Sequence, residues 1–188
     1  TMYGGAYPQP IAQPSFYGAQ NSALQQWFIA VDTHRSGRIS AQELQKALAM
    51  GRLNFSLKLT SSLIRMHDVN SSNTLDFNEF TALHTYLQAL QQTFAACDAN
   101  RSGKLDLQQV QDALRRNGFE LDMQPDGAFY KLCMAFDFAQ EGQIALDAFI
   151  AMAIQLRNAQ RVFNLFDQER KGRVTLDFNQ LIWSIAQL

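Results

Sequence analysis

A chain of 188 residues, 47% hydrophobic and 11% aromatic, is long enough to bury a substantial core and too apolar to stay disordered. Its 16 Lys and Arg stand against 17 Asp and Glu with no long run of either sign, which argues against a nucleic acid or an anionic surface as partner. No apolar run approaches the roughly 20 residues that cross a bilayer, and the start lacks the basic and apolar regions of a signal peptide. A cytoplasmic protein without stable membrane insertion is expected.

Residues 1–20, TMYGGAYPQPIAQPSFYGAQ, hold all but one of the four prolines and three of the ten glycines, interleaved with tyrosine and free of charge. This composition predicts an extended tail of polyproline type. It is either a flexible leader or a docking segment, since Tyr/Pro peptides fit aromatic-lined grooves.

From residue 21 to 188 the chain repeats itself. Five segments align: DTHRSGRISAQE (32–43), DVNSSNTLDFNE (68–79), DANRSGKLDLQQ (98–109), DFAQEGQIALDA (137–148) and DQERKGRVTLDF (167–178). Each opens with Asp, has Gly or Asn sixth and an aliphatic residue eighth, as a helix-loop-helix calcium site requires. The Asp is a metal ligand and helps end the incoming helix, and the sixth residue takes a left-handed backbone turn. The eighth residues, Ile39, Leu75, Leu105, Ile144 and Val174, are expected in short strands that pair one loop with its neighbour and point into the core.

The flanks carry helical periodicity. Leu24, Trp27, Phe28 and Val31 precede the first loop at i, i+3, i+4, i+7 spacing, Leu44, Ala47 and Leu48 follow it, and Phe129, Leu132, Cys133 and Phe136 precede the fourth. Ser40 and Glu43 fit a capping box. Loop starts are 36, 30, 39 and 30 residues apart. The short intervals, 77–97 and 146–166, contain no Gly or Pro and read as single helices shared by consecutive hands, while Gly51, Asn117, Gly118 and Pro125 break the long ones. Cys97 and Cys133 lie on predicted helices in apolar sequence and read as reduced, buried thiols.

Calcium takes six to eight oxygens, with the most weight on a bidentate Glu at the twelfth position. The second loop is the best set: Asp68, Asn70, Ser72, the Thr74 carbonyl, Asp76 and Glu79. The first offers Asp32, Ser36, the Arg38 carbonyl, Ser40 and Glu43, but has His34 third, and imidazole is a poor calcium ligand. The third offers Asp98, Asn100, Ser102, the Lys104 carbonyl and Asp106, but ends in Gln109, whose single neutral amide oxygen replaces a charged two-oxygen clamp. The fourth, with Ala139 and Ala148, and the fifth, with Lys171 and Phe178, are expected to be scaffold. His34, His67 and His84 show no transition-metal ligand spacing.

Five hands that alternate separate and shared helices behind a Gly/Pro/Tyr tail resemble the penta-EF-hand family, most of all the group of peflin and the apoptosis-linked calcium-binding protein. The resemblance implies an all-α fold of five EF-hands with short loop-pairing strands. It also implies pairing of the first hand with the second and the third with the fourth. The fifth hand is left to pair with that of another copy or of a sister penta-EF-hand chain. An unpartnered hand would expose Val174, Phe178, Leu181, Ile182, Ile185 and Leu188, a patch normally covered.

No nucleophile constellation, phosphate loop or catalytic carboxylate pair appears, so no enzyme is expected. The function expected is a calcium sensor and adaptor that exposes an apolar groove to a partner peptide, with Met50, Met66, Met123, Met134 and Met152 as adaptable lining or core filler. For the family the partners are Pro-rich peptides of trafficking and membrane-repair proteins, which implies calcium-dependent peripheral membrane association. The alternative is a largely calcium-independent structural or regulatory subunit of a heterodimer. In a third reading the Tyr/Pro tail fills the groove itself.

Overall fold

The computed structural model describes residues 16–122, 124, 127–137 and 141–187. The chain runs α1 (Phe16–Val31), α2 (Ala41–Met50), α3 (Leu57–His67), α4 (Phe77–Cys97), β1 (Lys104–Asp106), α5 (Leu107–Arg116), α6 (Ala128–Phe136), β2 (Gln143–Ala145), α7 (Leu146–Phe166) and α8 (Phe178–Gln187). The architecture is all-α apart from the small loop-pairing sheet, as expected. The two breaker-free intervals are continuous helices with the predicted bounds, α4 and α7.

α1 begins at Phe16, so the last five residues of the predicted extended tail are helical. No proline follows Pro14 before the first loop, and without that restriction the helix that carries Phe28 and Val31 into the core extends toward the N-terminus. Residues 1–15 lie outside the described part, as do Met123, Pro125, Ala139 and Leu188.

The first four loops pair through their eighth residues, whereas Val174 of the fifth lies in no strand or bridge among the described residues and is only half-buried. Ile39 and Leu75 exchange both backbone hydrogen bonds, Ile39 N to Leu75 O at 2.8 Å and Leu75 N to Ile39 O at 2.9 Å, as an isolated bridge. β1 and β2 pair antiparallel with Leu105 opposite Ile144. All four aliphatic side chains are completely buried, and burial of each stabilises the fold by about 1.5–3 kcal/mol relative to exposure. Around them the predicted helical stripes enter one core: Phe28, Val31, Leu44, Ala47, Leu48, Phe129 and Cys133 are buried, and Leu24, Trp27, Leu132 and Phe136 pack at its margin. α4 and α7 touch through Phe94 and Phe149, with ring centroids 5.7 Å apart, and Arg161 of α7 donates to the Arg65 carbonyl of α3 at 3.3 Å.

Both cysteines are free; Cys133 is buried and Cys97, the last residue of α4, is only half-buried. Burial, with Asp137 nearby, pushes the Cys133 thiol up to about 11, which keeps it protonated and unreactive. Met152 is buried, whereas Met50 and Met134 are exposed.

Candidate calcium-binding loops

In every loop the first Asp accepts two backbone N–H bonds from the fifth and sixth residues. The pairs are Asp32 with Ser36 and Gly37, Asp68 with Ser72 and Asn73, and Asp98 with Ser102 and Gly103. Asp137 with Glu141 and Gly142 and Asp167 with Lys171 and Gly172 repeat them. The sixth residue has positive φ in each loop: Gly37 +74°, Asn73 +57°, Gly103 +75°, Gly142 +68° and Gly172 +70°. This clamp explains why the Asp and the turn persist in all five copies: they close the loop with or without a metal. Arg35, Ser71, Arg101 and Arg170, at the fourth position, are also left-handed. No residue-type signal marks that position, since Arg and Ser are ordinary choices elsewhere.

In the second loop Glu79 closes a capping box with Asp76: Oε2 accepts from the Asp76 amide at 2.9 Å, and Asp76 Oδ1 accepts from the Asn78 and Glu79 amides. Glu79 Oε1 accepts from the Val69 amide at 2.9 Å and from Asn70 Nδ2 at 3.1 Å. Into this ring reaches Arg38 of the first loop. Its Nε donates to Thr74 Oγ1 at 2.6 Å, its Nη2 donates to Ser72 Oγ at 2.6 Å and Asn70 Oδ1 at 3.1 Å, and Nη2 lies 3.8 Å from Glu79 Oε2. Asn70, Ser72 and Glu79 therefore gather around one positively charged nitrogen, with Thr74 beside it. The side-chain donors are all hard oxygens, and the guanidinium stands in for a cation among them. Burial works to raise the Asp68 carboxyl, but the Asn73 and Ser72 amides, the Ser72 hydroxyl and the Arg38 charge outweigh it and hold the group below its usual range. Asp76 is committed to the helix cap, so its part at the metal position is the least direct of the six predicted donors.

The first loop is more crowded at its closing carboxylate. Glu43 Oε1 accepts from Thr33 Oγ1 at 2.9 Å and the His34 amide at 3.3 Å and bonds His34 Nδ1 at 2.7 Å; Oε2 accepts from the Ser40 amide and hydroxyl. Burial opposes the charge, yet the Ser40, His34 and Thr33 bonds hold the Glu43 carboxyl far below the usual range. His34 thus occupies the acid that a metal would need. Asp32 and Ser36 keep their loop positions, and the Arg38 carbonyl accepts from Ser36 Oγ at 2.8 Å.

In the third loop the amide oxygen of Gln109 accepts from the Asp106 amide at 3.0 Å while Asp106 Oδ1 accepts from the Gln109 amide at 2.8 Å. Gln109 does the helix-capping work of Glu79 with one oxygen. Asn100 Oδ1 accepts from the Ser102 amide at 3.2 Å, and Ser102 Oγ donates to Asp98 and to the Lys104 carbonyl. The Lys104 ammonium leaves its own loop and pairs with Glu141 of the fourth.

The fifth loop departs from its predicted register. Its helix starts at Phe178, and the reciprocal cap lies between Asp177 and Gln180, each amide donating to the other side chain at 2.9 Å. The cap stands two residues later than in the first three loops, so Gln180, not Phe178, takes the place of the closing glutamate. Phe178 instead stands on the surface, 73% exposed. With it Leu181, Ile182, Trp183 and Ile185 form an exposed apolar face on α8, and Val174 is half-buried. α8 rests on α7 through the edge-to-face contact of Trp183 with Phe166. Beside α8 lies a cleft of about 630 Å³ lined by Phe55, Leu59, Phe136, Ala148, Ala151 and Ile185.

Comparison with known proteins agrees with this geometry. The EF-hand family model matches residues 24–49 and 90–108. Human sorcin is 32% identical over an alignment that covers 99% of this chain and 93% of sorcin. The penta-EF hand domain-containing protein 2 of Dictyostelium discoideum is also 32% identical, covering 95% and 88%. A solved structure of a homologue of programmed cell death 6 protein from Leishmania major Friedlin superposes with a TM-score of 0.63 at 34% identity, covering 87% of this chain and 92% of that one. The chain belongs to the penta-EF-hand family. Its metal is accordingly Ca2+. Among the described residues no helix is long and apolar enough to cross a membrane.

Proposed function

We propose that the chain is a calcium-responsive, non-enzymatic adaptor: a penta-EF-hand domain over 21–188 with residues 1–20 as an appended segment. The second hand holds its principal metal through Asp68, Asn70, Ser72, the Thr74 carbonyl and Glu79, with Asp76 close by. The observation that carries this reading is the convergence of Asn70, Ser72 and Glu79 on a single cationic nitrogen, Arg38 Nη2, with the Thr74 hydroxyl on the neighbouring Nε. Bound Ca2+ would supply a positive charge for these oxygens to share. Glu79 sits in the first turn of α4, so any shift of its carboxylate is passed along a rigid helix that also opens the third hand. The first hand, with Asp32, Ser36, the Arg38 carbonyl and Glu43, is the weaker site because Glu43 is already fully bonded. The third, with Asp98, Asn100, Ser102, the Lys104 carbonyl and Gln109, is weaker still.

The exposed face of Phe178, Leu181, Ile182 and Ile185, with half-buried Val174 beside it, is the surface through which the fifth hand pairs with a second copy or a sister chain. The cleft between α3, α6, α7 and α8, apolar at Phe55, Leu59, Phe136 and Ile185 and polar at Lys58, Asp147 and Gln155, suits a Pro-rich peptide of a trafficking protein. Calorimetric titration with calcium should show at least one site in the sensor range, with a dissociation constant of about 10⁻⁷–10⁻⁵ M, and sedimentation equilibrium should give a dimer mass at micromolar protein. Millimolar or weaker binding at every loop, with no change in exposed apolar surface, would leave the calcium-independent subunit as the correct reading. A monomer mass would remove the dimer.

A further inference from the structure

Arg38 has an assigned part in the first hand, where its carbonyl is the seventh-position ligand. Its side chain does something else. It crosses to a loop 36 residues away and takes up the hydrogen-bonding capacity of three of that loop's ligands, Asn70 Oδ1, Ser72 Oγ and, by charge, Glu79 Oε2, while its Nε bonds the Thr74 hydroxyl beside the carbonyl ligand. The position is not accidental. Ile39 and Leu75 fasten the two loops by paired backbone bonds, which sets Arg38 beside Thr74, and the planar fork of the guanidinium then spans the ring of oxygens. The other pair of hands has a counterpart, since Lys104 at the same position of the third loop reaches Glu141 at the fifth position of the fourth. In both pairs the basic residue of the odd hand neutralises the loop of the even hand.

We infer that Arg38 is a tethered internal cation that competes with calcium for the second loop. This rests on the reading of that loop as the principal site. Calcium–oxygen distances of about 2.3–2.6 Å leave no room for Nη2 among the same oxygens, and two positive charges in one ring repel. The guanidinium must therefore swing out whenever the loop is loaded, and its side chain, about one-third exposed, has a path to solvent. Where the arginine bonds these oxygens it braces the second loop; calcium on the same oxygens removes that contribution. The apparent affinity of the loop is lowered by the population of the arginine-occupied state, and the first hand, which owns the backbone of Arg38, is coupled to the second.

Arg38→Met keeps the carbonyl and most of the side-chain volume and removes the charge. Calorimetry of the full chain titrated with CaCl2 should show the second-loop site tightened about tenfold, with Arg38→Lys between the two. Thermal unfolding supplies an independent sign: the Met variant should be less stable than the wild type without calcium, and its gain in Tm on adding calcium should be larger. Equal affinity in both proteins, or a loss of Tm equal with and without calcium, makes Arg38 a merely structural brace and overturns the inference, while leaving the second loop as the site. If neither protein binds calcium at the second loop, the reading of that loop falls and the competitor falls with it.

Discussion

In the second loop Glu79, and in the third Gln109, close the same reciprocal cap over the same kind of turn, with bond lengths of 2.9–3.0 Å and 2.8–3.0 Å. The first Asp of each loop takes the same two amides, and the aliphatic residue that follows is completely buried in both. At the twelfth residue the loops part at the remaining atom: Glu79 has a second anionic oxygen facing into the loop, and Gln109 has an amide nitrogen. Folding the loop needs one oxygen there; clamping calcium needs two and their charge. The requirements of the scaffold and of the site are thus separable, and a chain retains the first after losing the second.

The largest expected effect follows from exchanging those atoms. Glu79→Gln should weaken the tightest calcium site by about a hundredfold, and Gln109→Glu should create or tighten a third-loop site, both read by calorimetry. If the wild-type third loop already binds as tightly as Gln109→Glu, the second oxygen is not the difference. A smaller effect tests the part the loops share. Asp76→Ala and Asp106→Ala should each cost about 1 kcal/mol of stability in urea unfolding without calcium, because each removes a helix N-cap; unequal losses would show that the frames are not equivalent.

The smallest effect is in acid. Asp68 and Asp98 are both held below their ordinary value of 3.8, against opposing burial, by loop amides and a serine hydroxyl. A depressed folded pKa means that the stabilisation is complete above about pH 4 and is lost as pH falls through the lower folded values. Asp68→Asn and Asp98→Asn should each flatten that loss in urea unfolding compared at about pH 5 and about pH 3. Of these two groups, Arg38→Met should alter the loss at Asp68 and leave Asp98 unchanged, since the Arg38 charge acts on Asp68 and not on Asp98.

Much of this frame is legible in the sequence because it is local and repeated. Asp at the first position, Gly or Asn at the sixth and an aliphatic residue at the eighth each answer to one backbone or burial requirement, and the absence of Gly and Pro across 77–97 and 146–166 fixes α4 and α7. Twelve residues from Asp167 end at Phe178, but the fifth loop exits two residues later, where Asp177 and Gln180 repeat the Asp106–Gln109 spacing and carry the capping signal themselves. The helical start at Phe16 was hidden by a proline-rich composition that ends at Pro14. The crossing of Arg38 had no local sign. It depends on which loops pair and on the direction of one long side chain, and neither is encoded in the spacing of residues within a hand.

The most direct measurement is amide NMR of the isotope-labelled full chain during a calcium titration, following Asn73 and Gly103, the sixth-position amides that donate to Asp68 and Asp98. The expected result is that the Asn73 signal moves at micromolar calcium, in the sensor range, while that of Gly103 stays in place. A Gly103 signal that moves first, or together with Asn73, would contradict the assignment of the principal site to the second hand.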